Sequence, residues 1–467
     1  MKNSKGSKMT ALQNTLDDKI YDLNEYLSDK EFIKILNSIK SVENLQNIEK
    51  LYSLFDKKNE KVKIAILKTI ARLNIYDNKK IKKIILDNQE NSNVRREAVS
   101  VIGRQRDKKN IEFLSFLLKD SDPNIVLQAI RALVVFKNIE NVKQNLLKLK
   151  NHKNEIIREV IEKEFFKKNK SSKIPHHQSY DALKNVVVNG DALKVLNVIA
   201  DEAFHLTFTS PPYYNARDYS IYQSYDEYLN FLNSIFKEIH RTTKEGRFFI
   251  LNTSPIIIPR VSRQHSSKRY PIPYDLHNLL MNNGWEFIDD IVWVKPEASV
   301  KNRIGGFMQH RKPLAYKPNS RTEMLMVYRK KTDKLLDWNI KQYPKEIIEK
   351  SKVLEGFETS NVWEIDPTFD KKHSAVFPIE LCNRVIKYYS FVDDLVFDPF
   401  GGSGTFAKSA LLNSRYFFTI EILKDYYLRI QENLKFNNLF NTDKSITFMT
   451  YNNFKEKMKN DTNRTSS

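Results

Sequence analysis

The chain has 467 residues, 41% hydrophobic and 12% aromatic, with one cysteine and a net charge of +20. That length exceeds an ordinary single domain, so two or three are expected. A single cysteine excludes intrachain disulfides and a cysteine-based zinc cluster, no apolar run reaches 18 residues, and positions 1–10 lack a signal-peptide core. A cytoplasmic protein with no metal site is the expectation. The excess of Lys and Arg suits a polyanion such as nucleic acid; an AT-rich genome, which also enriches Lys, Asn and Ile, gives the same balance.

From the N-terminus, 1–58 reads as a helical cap, with Leu12, Ile20, Leu23, Phe32, Ile35 and Leu36 at helical spacing. Positions 59–166 repeat. Val62, Val94, Ile125 and Ile156 open matching blocks at offsets of 32, 31 and 31, and apolar residues recur at i+4 and i+5 in each. Second helices fit over 79–87, 110–119 and 140–150. Helix pairs at that period suggest short HEAT-like repeats, which bury their apolar faces only by stacking. Such an array binds DNA or protein along one face, or docks on the rest of the chain. Charged, proline-interrupted 167–178 reads as a linker.

Beyond it, strands and helices alternate across 179–455, leaving a polar tail at 456–467. Strands are predicted at 186–188, 205–208, 247–251, 288–294, 322–328, 395–397 and 417–421, with an amphipathic helix over 225–241. That alternation predicts a doubly wound, mostly parallel sheet, whose ligands sit at the carboxyl ends of strands. Two segments fall there. Thr209-Ser210-Pro211-Pro212-Tyr213 follows one strand, and Asp398-Pro399-Phe400-Gly401-Gly402-Ser403-Gly404-Thr405 follows another and opens a helix. Glycines admit a ligand close to the backbone, and the helix start offers free N–H groups. Glu421, ending the next strand, suits ribose hydroxyls. Loop and acid make a nucleoside-cofactor site without choosing the cofactor. A dinucleotide fingerprint lacks its third glycine, and a phosphate-binding loop around Lys408-Ser409 has Ala407 where glycine belongs.

Together, with Ser-Pro-Pro-Tyr first, these segments resemble the S-adenosylmethionine-dependent DNA amino-methyltransferases in the permuted, β-class motif order. The resemblance covers about 180–435 and implies an α/β Rossmann-like methyltransferase domain preceded by the all-α repeats. It implies S-adenosylmethionine in the glycine loop, with Phe377 near the methionine end and Asp191 near adenine. Core packing and a simple turn are the plain alternatives for those two residues. Ser374 stands where the family has proline after His373.

Ser210, Pro211, Pro212 and Tyr213 then form the methyl-acceptor site. The serine hydroxyl and the Pro211 carbonyl accept two amino hydrogens, and Tyr213 stacks on an extruded base. Serine at the first position is usual for cytosine N4 and aspartate for adenine N6, so N4 of cytosine in double-stranded DNA is expected and adenine is the alternative. C5 methylation needs a cysteine after proline, whereas Cys382 follows Leu381 on a helix and reads as core. Target recognition is expected over about 296–362, after Trp293-Val294-Lys295-Pro296. Asn302, Arg303, His310, Arg311, Lys312 and Lys317 are candidate DNA contacts, as are Arg217, Arg263, Lys268 and Arg269; solvated loop residues are the alternative. The resemblance also implies a restriction-modification setting, with a cognate endonuclease at the same site. An RNA methyltransferase is a further alternative that the charge allows, and an inactive nucleic-acid-binding scaffold is the reading from another class.

Overall fold

The computed structural model describes residues 23–24, 26–39, 45–166, 175–214, 222–258, 260, 262, 264–300, 313–314, 316, 318–368, 376–435 and 445–465. The chain divides into two compact units, Met1–Lys170 and Ser171–Ser467.

The first unit is all-α. Helices Glu60–Leu73, Ser92–Arg104, Pro123–Leu133 and Glu155–Phe165 carry the repeated blocks, alternating with Asn78–Leu86, Ile111–Phe116 and Glu140–Leu147. Each block helix starts on an Asn or Asp whose side chain accepts a first-turn N–H: Asn59, Asn91, Asp122 and Asn154. That cap satisfies donors the helix itself leaves open. It recurs at the repeat period, a signal the apolar pattern alone overlooks. Val62, Ile66, Leu67, Val94, Ala98, Val99, Ile125, Ala129 and Ile130 are all fully buried. Gly103 lets two block helices touch, since a Cβ there would lie 2.7 Å from Ala132 Cβ. The fourth block departs from the expected register. Ile156 is 49% exposed, and Ile157 is buried with Ile161 instead. The terminal repeat has no following block helix among the described residues to cover the position of Ile156.

The second unit is built on a nine-stranded sheet. Its strands are β1 (Val186–Asn189), β2 (Phe204–Thr209), β3 (Thr243–Thr253), β6 (Trp285–Val294), β7 (Thr322–Lys330), β8 (Val362–Glu364), β9 (Leu395–Asp398), β10 (Tyr416–Glu421) and β11 (Thr447–Thr450), while β4 (Ile256–Ile258) and β5 (Lys268–Tyr270) form a separate antiparallel ribbon. The order is β11-β1-β10-β9-β2-β3-β7-β6-β8, parallel except that β7 runs against β3 and β6. Alternate strand residues enter opposite cores. Val186, Val188, Phe249, Phe397 and Phe418 face one side, where helix Tyr225–Thr242 packs. Val187, Leu206, Ile250, Val396 and Phe417 face the other, with helices Ile379–Tyr389 and Thr405–Leu412. Cys382 is buried in that second core. A parallel sheet covered on both faces requires these near-continuous apolar strands.

Two expected boundaries shift. Residues 175–178 pack into the base of this unit rather than serving as linker: His205 Nε2 meets the His176 carbonyl at 3.0 Å, and Lys244 Nζ donates to the Gln178 carbonyl at 2.7 Å. The expected polar tail begins inside helix Tyr451–Thr465, whose first half docks through buried Phe454 against Phe418, with Met458 packed beside it. The expected recognition segment, 296–362, contains β7, where the strand predicted at 322–328 buries Leu325, Val327 and Tyr328.

Candidate active site

β2 and β9 are neighbours, paired Leu206 to Val396 and Thr207 to Phe397. From β2 the chain next adds β3 on one side, and from β9 it adds β10 on the other. The order therefore reverses between β2 and β9, and ligands of open α/β sheets bind at such a point, outside the carboxyl ends. Ser210-Pro211-Pro212-Tyr213 leaves β2 there, and Pro399 to Gly404 leaves β9 there. One hydrogen bond ties the two: Thr209 Oγ1 donates to Asp398 Oδ1 at 2.7 Å, fully buried.

Asp398 is a structural anchor of the loop as much as a ligand candidate. Its Oδ1 also accepts from Phe400 N at 3.0 Å, and its carbonyl accepts from Thr419 Oγ1 at 3.0 Å. Burial raises its carboxyl to about 6, against the lowering effect of Thr209 and the Phe400 N–H. Gly401 N donates to the Ile420 carbonyl at 2.8 Å, so the loop lies directly on β10. A Cβ at Gly401 would come within 2.5 Å of Thr419 Oγ1. Ser403 and Thr405 share a hydrogen bond at 2.9 Å, and helix Thr405–Leu412 opens behind them.

Glu421 closes the cradle. Its two oxygens accept from Gly402 N and Leu423 N, each at 2.8 Å. Burial raises its carboxyl to about 7, with Asp398 adding to the rise and the two N–H groups opposing it. Each carboxylate oxygen has a second lone pair, so the group can also accept hydroxyl hydrogens. Gly-rich loop, helix start and buried acid thus fit the ribose and adjoining parts of a nucleoside cofactor.

Asp191 stands near this cradle but its side chain caps helix Ala192–Leu196, accepting from Lys194 N at 2.9 Å. The turn it ends is held to the tip of β10, where Asn189 Nδ2 and Gly190 N both donate to the Glu421 carbonyl. Phe377 is half-buried and stacks on Phe208 of β2 at 4.6 Å and 20°. It therefore lies on the second core, directly before helix Ile379–Tyr389.

Around the acceptor motif, the structure adds residues that the motif alone leaves out. The Tyr213 hydroxyl is buried beside the hydroxyls of Ser210 and Ser254, without a well-formed hydrogen bond to either, and burial pushes the phenol far above its usual range. The residue as a whole is half-buried, packed against the first core. β3 ends in Asn252-Thr253-Ser254-Pro255, a second Thr-Ser-Pro beside the one on β2, which is the signal that could have found it. Asn252 Nδ2 donates to Glu323 at 2.6 Å, and Glu323 pairs with Lys295 of the Trp-x-Lys-Pro element. Asn252 Oδ1 and Thr253 Oγ1 are buried with no hydrogen-bond partner among the described residues. A separate cleft of about 620 Å³ lies along the ends of β6 and β8, lined by Lys295, Arg321, Glu364, Asp366 and Pro378; neither motif lines it.

Tyr214, just after the motif, packs edge-on against Tyr270 at 5.0 Å and Tyr225 at 5.3 Å, and Tyr225 donates to Asp275 at 2.7 Å. This links the acceptor motif to the ribbon, where Lys268 and Arg269 are exposed. Arg217, Arg263, Asn302, Arg303, His310, Arg311, Lys312, Lys317 and His373 lie outside the described residues.

The DNA methylase family model matches residues 204–432, from β2 through the glycine loop and Glu421. M.ScaI, a type II methyltransferase of Streptomyces caespitosus, is 30% identical over 262 residues, 54% of this chain and 81% of the relative. The chain belongs to this methylase family. A second family member, M.Cfr9I of Citrobacter freundii, is 28% identical over 51% of this chain and 83% of its own length. M.BslI of Bacillus sp. (strain NEB-606) is 29% identical over 51% of this chain, but the match spans only 26% of that longer methyltransferase. The cytosine-N4-specific PvuII DNA methyltransferase aligns at 20% identity over 61% of this chain and 94% of its own, with a TM-score of 0.41, too distant to inform base or residue roles. Residues 78–164 match HEAT repeats.

Proposed function

We propose that the chain methylates DNA at N4 of an extruded cytosine, with S-adenosylmethionine as methyl donor, as the modification enzyme of a restriction-modification system. The single observation that carries the reading is the buried Thr209–Asp398 hydrogen bond. It fixes the strand end bearing the acceptor motif against the strand end bearing the cofactor cradle.

S-adenosylmethionine, when bound, supplies a methyl group on a positively charged sulfur. Glu421 would accept its ribose hydroxyls, the 399–404 loop would lie along it, and Phe377 would border its methionine end. Ser210 and the Pro211 carbonyl accept the two amino hydrogens of the base. This draws the nitrogen lone pair out of conjugation with the ring and makes it nucleophilic. Tyr213 offers its ring for stacking on the extruded base. Charge disperses during such a transfer, so orientation and exclusion of water contribute more than a strong base would. Lys268 and Arg269 are proposed phosphate contacts.

Serine rather than aspartate at position 210 supports cytosine over adenine. The test is a nucleoside digest of DNA incubated with the protein and S-adenosylmethionine, resolved by mass. N4-methylcytosine is expected. N6-methyladenine would replace the base and keep the enzyme; no methylated base on varied DNA would overturn the reading and favour an inactive scaffold.

A further inference from the structure

The positive charge is not spread evenly. Met1–Lys170, which holds no candidate chemistry, has 36 basic against 23 acidic residues, a net +13 of the total +20. Within the repeats both layers are basic, and the larger excess is on the second helices. The three second-helix stretches, 78–86, 108–119 and 140–150, hold ten lysines and two glutamates. The four block helices hold ten basic and six acidic residues, and the last of them, Glu155–Phe165, is acidic, with four glutamates against Arg158 and Lys163.

Burial fixes which way these lysines face. In helix Asn78–Leu86, Ile81 and Ile85 are fully buried, while Lys79 and Lys83 are exposed. In the second stretch Leu114 and Leu117 are buried, while Lys108, Lys109 and Lys119 are exposed. In the third, Val142 and Leu146 are buried, while Lys143, Lys148 and Lys150 are exposed. Lys82 Nζ over the Phe113 ring at 4.9 Å joins the first stretch to the second. Leu86, 49% exposed, and Phe116, 61% exposed, lie among the lysines at matching places in their repeats.

We propose that this second-helix layer of the HEAT array binds duplex DNA along its phosphates. The inference rests on the reading of the enzyme as acting on DNA. Neighbouring helices lie about 8–10 Å apart, so three present charge over roughly 20 Å. That length spans about six phosphates of one strand. Lysine, a flexible point charge, suits phosphates rather than base edges, so the layer adds affinity without sequence preference. The exposed Leu86 and Phe116 would suit a protein partner better. However, ten lysines against two glutamates within the stretches and four aspartates at their ends leave the layer net positive, which favours a polyanion.

The test uses the full chain with one substitution per second helix, Lys83→Gln, Lys109→Gln and Lys143→Gln together. A control carries Lys61→Gln, Lys68→Gln and Arg96→Gln on the block helices. Binding to a labelled 40-base-pair duplex is followed by anisotropy across a salt series. The second-helix variant should bind at least tenfold more weakly, with a salt slope shallower by about 2–3. The control should change several-fold less, and methyl transfer at saturating DNA should match the unsubstituted chain. Equal losses in both variants, or no loss in the first, would overturn the proposal; retained DNA affinity would point to a protein partner instead. Absence of methyl transfer in the unsubstituted chain, with the salt effect intact, would instead count against the enzymatic reading alone.

Discussion

At the scale of single residues, two side chains separate binding from chemistry. Ser210 makes none of the hydrogen bonds that hold the cradle, so Ser210→Ala should cut methyl transfer by at least a hundredfold. Cofactor affinity, measured by calorimetry, should stay within about threefold; an equal fall in both would make the serine structural. Glu421 couples the site to pH. Its folded value, about 7, lies above the ordinary 4.5. The folded state therefore holds the proton more tightly than the unfolded chain, and stability is fully present below pH 4.5 and lost as pH rises through about 7. The effect is on the order of 3 kcal/mol. Cofactor affinity should move the opposite way, since the ionised carboxylate is the better acceptor of ribose hydroxyls. Denaturation of the unliganded chain and of Glu421→Gln at pH 5 and pH 8 isolates this contribution from those of the buried histidines and Asp398: the substitution should cost about 2–3 kcal/mol more at pH 5 than at pH 8.

At the scale of elements, the glycine loop works because β10 lies directly beneath it. Gly401→Ala would place a methyl group 2.5 Å from Thr419 Oγ1, a buried hydroxyl already committed to the Asp398 carbonyl. Overpacking of this kind costs about 1–3 kcal/mol, and the loop is where the backbone would shift. We expect that loss in chemical denaturation together with a cofactor affinity at least tenfold weaker. Unchanged affinity would mean that the 399–404 loop does not form the cradle. In the repeats, the capping Asn and Asp residues act as an element-scale device, setting where each block helix begins.

At the scale of the molecule, the packing separates as the sequence does. One core runs from Leu23 to Ile161, and the two cores flanking the sheet run from Leu183 to Phe454. No residue is shared among them. Residues 171–467 produced alone should therefore fold, with a cooperative thermal transition, and bind cofactor within about threefold of the full chain. On the inference above, the same fragment should lose DNA affinity and salt dependence. A fragment that folds but fails to bind cofactor would place part of the site outside it.

Much of this was written locally in the chain. Repeated apolar triplets sufficed for the array, and alternating apolar runs with Ser-Pro-Pro-Tyr and the glycine loop sufficed for seven of the nine sheet strands and the two motifs, because both signals depend on neighbours within a turn or a strand; the short edge strands β8 and β11 were not predicted. The register of the last repeat, the helical end of the chain and the anchoring of 175–178 were not legible, since each depends on what packs against it. The same holds at the site. Sequence supplied Ser210, Asp398 and Glu421, but only tertiary structure brought Thr209 to Asp398 across 189 positions and set Asn252, Ser254 and Glu323 around Tyr213. Motifs are local agreements between a backbone and its ligand; the polar groups that support them come from neighbouring strands, and strand order is decided by the burial of the whole sheet.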